Sequence, residues 1–191
     1  MMEVKGGTIK NTPLFVKETF GEEACNKWLD SLPAESQNIF RKPILSSVWY
    51  PYKWGAYEPQ KKIVEMFYGG DPKKAAEMGR YSTEKSLKGI YKMFLKLIAS
   101  AVPSAGASMV NRIQQTFSAF MRPIKLENAE PGNSQSNLRI VEFSEVDEIA
   151  EYGIAGCLEK AIEIMMGKKP EVNIVKSMAR GDECTEYEIK M

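Results

Sequence analysis

The sequence predicts an α+β fold, with a helical amino-terminal part (residues 1–122) packed on a carboxy-terminal ββαββ antiparallel sheet (residues 123–191). Three observations carry this. Apolar residues recur at three- and four-residue spacing as far as about residue 122. After Pro123 the texture changes to short alternating runs between turn-rich stretches. A chain of 191 residues suits a single domain with a sizeable core.

The elements follow in order. Asn11 or Thr12 supplies a capping oxygen and Pro13 a preset helical φ, so a helix starts there. Phe15, Phe20, Ala24 and Trp28 continue it at roughly helical spacing to "DSLP". Pro33 opens a second, short helix that stops before Pro43, because the residue preceding proline is pushed out of the helical region. "ILSSVWYPYKWGAYEP" (44–59) has three break points and five large aromatics, and reads as an ordered loop. A helix over about 58–68 is closed by Gly69 and Gly70, and Asp71-Pro72 opens the next. That long run places Leu87, Ile90, Tyr91, Phe94 and Ile98 on one stripe and Lys85, Lys88, Lys92 and Lys96 on another. "AVPSAGAS" interrupts it, and Ser108 starts an amphipathic helix carrying Met109, Ile113, Phe117 and Phe120. "PIKLENAE" and "NLRIVEF" then read as strands. "EVDEIAEYGIAGCLEKAIEIMMG" reads as a helix with acids in its first turn and Gly167 as its stop. "EVNIVKSMA" and "TEYEIKM" close the chain as a hairpin around Gly181-Asp182, with Thr185, Tyr187, Ile189 and Met191 on one face.

Composition narrows the function. The 26 basic residues nearly balance 25 acidic ones, a net charge of +1, so the whole molecule is not steered to nucleic acid or an anionic membrane. The first residues form no signal peptide and no run approaches 18 apolar residues, so no transmembrane segment is expected. Three scattered cysteines make no disulfide framework, and a cytoplasmic location is expected. There is no histidine, which removes Ser-His-Asp and Cys-His catalysis and every His-ligated zinc or haem.

"SSVWYP", "GGDPKKAAEMGRYSTEKSLKGIYKMFLKL" and "ARGDECTEYEIKM" together resemble a bacterial family similar to the vinyl-4-reductase-type ligand-binding domains. These belong to one superfamily with the haem nitric-oxide-binding domains and the TRAPP Golgi-transport subunits. The resemblance implies helices packed on a small antiparallel sheet, a mostly apolar cavity between them, and frequent dimers. The haem-binding branch uses a proximal histidine and Tyr-x-Ser-x-Arg, whereas "RYSTEKS" places Lys85 after Tyr81-Ser82. Relatives also end in Gly-Asp-x-x-Cys-x-aromatic. Here Thr185 takes that cysteine's place and Cys184 comes one residue early, on the opposite strand face. The cofactor stays unknown.

The candidate ligand residues are Trp49, Tyr50, Trp54, Tyr81, Tyr91, Phe94, Met109, Ile113, Phe117, Gly153 and Cys157. The aromatic loop is either an anchor over the core or the mouth of an apolar pocket. Ala150, Gly153, Cys157 and Ala161 form a stripe of small residues, which serves close packing or leaves room for a flat ligand. Met93, Met109 and Met121 add adaptable apolar surface. The lysine stripe is a solvated face or, with Arg80, an anion contact; Tyr81 and Tyr91 are phenols that could orient a ligand. The function expected is non-catalytic binding of a hydrophobic or tetrapyrrole-like small molecule or lipid, sensory or regulatory, in a homodimer. An interaction module like the transport-complex subunits is the second reading. A tetrapyrrole vinyl reductase is the third, without a cofactor-binding glycine motif or an acid-base pair behind it.

Overall fold

The computed structural model describes residues 1–87, 107–129, 136–144 and 146–191. The architecture is α+β, with helices filling the amino-terminal part and a four-stranded antiparallel sheet the carboxy-terminal part. That sheet contains β4 (Lys125–Asn128), β5 (Ser136–Glu142), β6 (Glu171–Lys176) and β7 (Thr185–Lys190), in the order β4-β5-β7-β6. Leu138 and Ile174 both register on Tyr187, which is fully buried at the sheet's centre.

The helices number α1 (Gly6–Ile9), α2 (Asn11–Phe20), α3 (Glu22–Ser31), α4 (Ala34–Phe40), α5 (Glu58–Phe67), α6 (Ala75–Ser86), α7 (Ala107–Phe120) and α8 (Glu148–Met166). The single helix expected from Pro13 to "DSLP" is two. Gly21 takes φ +96°, a conformation that costs side-chain residues heavily, and the chain turns there between α2 and α3. Asp71 caps as expected, accepting from Lys73 N at 3.0 Å, but a 3₁₀ turn (Pro72–Lys74) precedes α6. Asp147 Oδ1 accepts from Ala150 N at 2.8 Å to start α8, and Gly167 at φ +74° ends it.

The stretch 44–59 is not a loop throughout. Trp49–Pro51 form β2, which pairs with β1 (Glu3–Lys5), and β1 also pairs with β3 (Met121–Arg122). This small sheet joins three distant segments, each too short to carry an alternation pattern. A π-helical turn, Lys53–Tyr57, leads into α5.

The final hairpin also differs. Gly181 has φ +98°, the left-handed conformation expected of it, but the connection from β6 to β7 is longer than a tight turn and includes a 3₁₀ turn at Met178–Arg180. A buried carboxylate holds it. Glu151 on α8 accepts from Ser177 Oγ and Thr185 Oγ1, both at 2.5 Å, and from Ala179 N at 3.2 Å. Thr185, Tyr187 and Ile189 face inward as alternation requires, while Met191 is exposed because the strand ends at Lys190. Glu186 is buried on the other face by Arg139 and Asn137, at 2.8 and 2.9 Å.

Apolar burial falls in two clusters. One, around Trp28, Phe15 and Ile63, binds α2, α3, α5 and α6 together, and the Trp28 indole N–H donates to Pro59 O at 3.1 Å. The other joins the inner faces of both sheets to α7 and α8 through residues such as Ile113, Leu138, Ile140 and Leu158. Each fully buried side chain of this size contributes roughly 1.5–3 kcal/mol.

Candidate functional site

A cavity of about 60 Å³ opens where α6, α7 and α8 meet, lined by Thr8, Ser82, Thr83, Ser86, Leu87, Phe117, Phe120, Met121, Cys157 and Ala161. Its surface is almost wholly apolar. The hydroxyl-bearing part of its wall comes from α1 and the carboxy-terminal end of α6. Ser86 Oγ is taken by Asn11 Nδ2 at 3.0 Å. The Cys157 thiol donates to Gly79 O at 3.5 Å, and burial raises its pKa, with Thr83 opposing.

The same two helices close completely one turn earlier. A Cβ on Gly79 would lie 2.0 Å from Gly153 O, and one on Gly156 would lie 2.0 Å from Ala76 O. Backbone therefore touches backbone at this crossing. Farther along, Arg80 donates to Glu159 at 2.6 Å and Lys160 pairs with Glu84 at 3.5 Å.

A second, smaller cavity of about 30 Å³ adjoins the first, and its wall includes Thr8, Asn11, Gln60, Met78, Tyr81 and Ser82. Thr8 and Ser82 line both cavities. Thr8 Oγ1 is buried without a hydrogen bond. Burial raises the Tyr81 pKa, with the neighbouring Glu18 carboxylate adding to it and Lys85 opposing.

Thr8 is held in place by glycines. Gly6 N donates to Val48 O at 2.9 Å and Gly7 N to Ser46 O at 3.0 Å. A Cβ on Gly6 would lie 2.2 Å from Leu45 O and 2.9 Å from the Tyr50 ring, so only glycine allows α1 this approach.

Of the candidate residues, Phe117 and Cys157 stand in the wall of the larger cavity and Tyr81 in that of the smaller. Ile113 is buried in the core beside Phe117. Gly153 lies at the closed crossing of α6 and α8. Trp49 lies beside two cations, with Lys5 Nζ 4.4 Å and the Arg122 guanidinium 4.0 Å from its ring centre. Tyr50 accepts from Leu45 N at 3.2 Å, and Lys53 Nζ lies 4.7 Å from the centre of the Trp54 ring. These three aromatics line neither cavity. Their neighbour Tyr57 is pushed up to about 12, first by burial and then by Asp147. Tyr91, Phe94, Met93, Lys88, Lys92 and Lys96 lie outside the described residues, as does the side chain of Met109. Of the lysine stripe and Arg80, the two cations within the described part are engaged: Lys85 with both oxygens of Glu18 at 2.8 Å, Arg80 with Glu159.

Thr8, Ser82, Thr83, Ser86, Leu87 and Phe120 were not among the candidate ligand residues, and Met121 entered only as adaptable apolar surface. A small hydroxyl after two glycines gives no periodic signal. Only the run Ser82-Thr83 with Ser86, unusually polar for an inward helix face, hinted at it. Among the described residues, no group of three or more thiol or carboxylate side chains is placed to hold a metal, and no helix is long and apolar enough to cross a membrane.

No protein-family model matches the sequence, and no curated protein matches it. Solved structures do resemble the fold. An H-NOX protein from K. algicida, in the Fe(II) unliganded state, superposes with a TM-score of 0.67 at 11% identity over 97% of this chain and 95% of that one. An H-NOX protein from S. oneidensis in the Fe(II)NO state gives 0.62 at 13% identity over 96% and 97%. A mutant of the T. tengcongensis H-NOX gives 0.53 at 12% over 97% and 96%. At these identities the likeness concerns architecture: the chain has the fold seen in H-NOX domains.

Proposed function

We propose that this chain is a non-catalytic, regulatory ligand-binding domain that takes a small apolar molecule into the cavity between α6, α7 and α8. Its manner would be that of vinyl-4-reductase-type ligand-binding domains. The observation that supports this is an almost wholly apolar cavity beside a helix crossing otherwise packed backbone to backbone. Genuine apolar cavities stay dry and take apolar guests, and removing a guest's surface from water drives binding at roughly 25 cal/mol per Å².

The cavity's size decides which guest. A cavity of about 150 Å³ holds benzene, so about 60 Å³ corresponds to roughly two or three non-hydrogen atoms. Sites for drug-sized ligands run to about 300–1,000 Å³. A guest smaller than a tetrapyrrole is therefore proposed for that space. Haem, which the fold implies, does not fit these residues: the chain offers no histidine, and the glycine-lined crossing leaves no gap between α6 and α8. A homodimer and a cytoplasmic location belong to the same proposal.

Methyl-resolved NMR under propane tests the reading. Saturable shifts are expected at Leu87, Met121 and Ala161, and their loss in Ala161→Leu. Haemin added to the same protein should give no stoichiometric Soret band. Absence of saturable shifts at those methyls, or a stoichiometric Soret band, overturns it.

A further inference from the structure

The net charge of +1 conceals a local imbalance at the small amino-terminal sheet. Its outer face holds Lys5 and Arg122 beside the Trp49 ring, 4.4 and 4.0 Å from the ring centre. Glu3 lies on the same face and is bound by Arg122 at 2.8 Å. No acidic residue occurs between Arg41 and Glu58. Immediately before Trp49 the chain turns at residues 45–48, where Lys10 Nζ reaches Ser46 Oγ at 3.0 Å. The turn carries Leu45 and Val48, which are 60% and 40% exposed. Exposed aliphatics, a half-buried indole and cations therefore share one side of the molecule.

The backbone of this turn is already provided for. Leu45 N donates to the Tyr50 hydroxyl at 3.2 Å and Val48 N to Leu45 O at 3.1 Å. Val48 O and Ser46 O accept from Gly6 N and Gly7 N. These groups keep their partners without water, so the turn enters an apolar medium at small cost.

We propose that this face docks on an anionic lipid bilayer, independently of the cavity. Leu45 and Val48 enter the boundary of the acyl chains, and Trp49 sits at the level of the headgroups. Lys5 and Lys10 meet lipid phosphates, while Arg122 neutralises Glu3. Nucleic acid would engage the lysines but leave the two aliphatics against its phosphates. A bilayer takes both chemistries in one plane.

Flotation of the whole protein with phosphatidylcholine vesicles, with and without phosphatidylglycerol, tests this. Wild type is expected to float with the phosphatidylglycerol vesicles and to be released as salt rises. Its tryptophan emission should shift to the blue on those vesicles, and the shift should be lost in Trp49→Phe. Leu45→Ser combined with Val48→Ser should weaken flotation about tenfold, and Lys10→Gln about fivefold. All three positions are exposed, so the unfolding midpoints should match wild type. Wild type that floats with neither vesicle, or equally with both, overturns the proposal. Flotation that falls in K10Q but not in the double serine variant overturns it too, and marks a face for acidic protein or nucleic acid. Propane binding reads the cavity separately, so failure here leaves that site standing.

Discussion

Helices α6 and α8 behave differently along one shared face. Near Gly79, Gly153 and Gly156 their backbones touch; near Ser82, Thr83, Ser86, Cys157 and Ala161 they leave a cavity that α7 closes with Phe117 and Phe120. Small residues occupy both parts. What differs is the opposite side: in the first it is another backbone, in the second a third helix whose aromatic rings cannot reach the floor. A stripe of small side chains is thus a permission for closeness, and the neighbour decides whether the permission is used.

The largest effect should come from breaking the closed part. Gly79→Ala or Gly156→Ala puts a methyl 2.0 Å from backbone oxygen, and urea unfolding should show a loss of about 3 kcal/mol. A loss below about 0.5 kcal/mol in both would mean that the helices are not in backbone contact. In the open part, Ala161→Leu adds three carbon atoms to a nearly buried position beside the cavity. Stability should change by no more than about 1 kcal/mol, while propane binding disappears.

Gly153→Ala sharpens the contrast, because this glycine lies on the same face but meets nothing nearer than Gln60 Oε1 at 3.6 Å. Thermal unfolding should find it neutral or stabilised by up to about 1 kcal/mol, the helix-propensity gain. Cys157 marks the border between the two parts. Burial raises its thiol above the ordinary 9.0, so the thiolate forms only at higher pH and iodoacetamide at pH 8 should react slowly there. Its labelling should still be rising with pH above that ordinary value, where an unperturbed thiol levels off, and propane should slow it further. Mass spectrometry of labelled peptides reads both; rapid labelling at pH 8 contradicts the raised thiol.

The acid limb of stability depends on the other face of the sheet. Burial pushes the Glu186 carboxyl up, but hydrogen bonds from Arg139 and Asn137 outweigh this and hold it below the usual 4.5. A depressed carboxyl contributes stability above its unfolded value that is lost as pH falls through its folded value. Glu186→Gln should therefore flatten the loss of stability seen below about pH 4.5 by denaturant titration.

Periodicity made the helix-then-sheet order legible, because α5, α8 and the alternation of Thr185, Tyr187 and Ile189 each repeat often enough to be read. The amino-terminal sheet was not legible, since β1, β2 and β3 hold three, three and two residues and pair across most of the chain. Gly21 looked like one more helical position because nothing nearby announced its positive φ. The site was half legible for the same reason. Phe117 and Cys157 belong to helical stripes, whereas Thr8 owes its place to a glycine clasp with residues 45–48. The density of rings at 49–57 left an anchor over the core and a pocket mouth equally open; Trp49 and Trp54 lie beside cations and Tyr50 packs on Gly6.

The central claim is that the space bounded by α6, α7 and α8 accepts a guest. Diffraction from crystals of the protein pressurised with xenon tests it most directly. One bound xenon is expected within van der Waals distance of Phe117, Cys157 and Ala161, absent in Ala161→Leu. Crystals that diffract well under pressure yet show no xenon there, with side chains meeting across the junction, would contradict it.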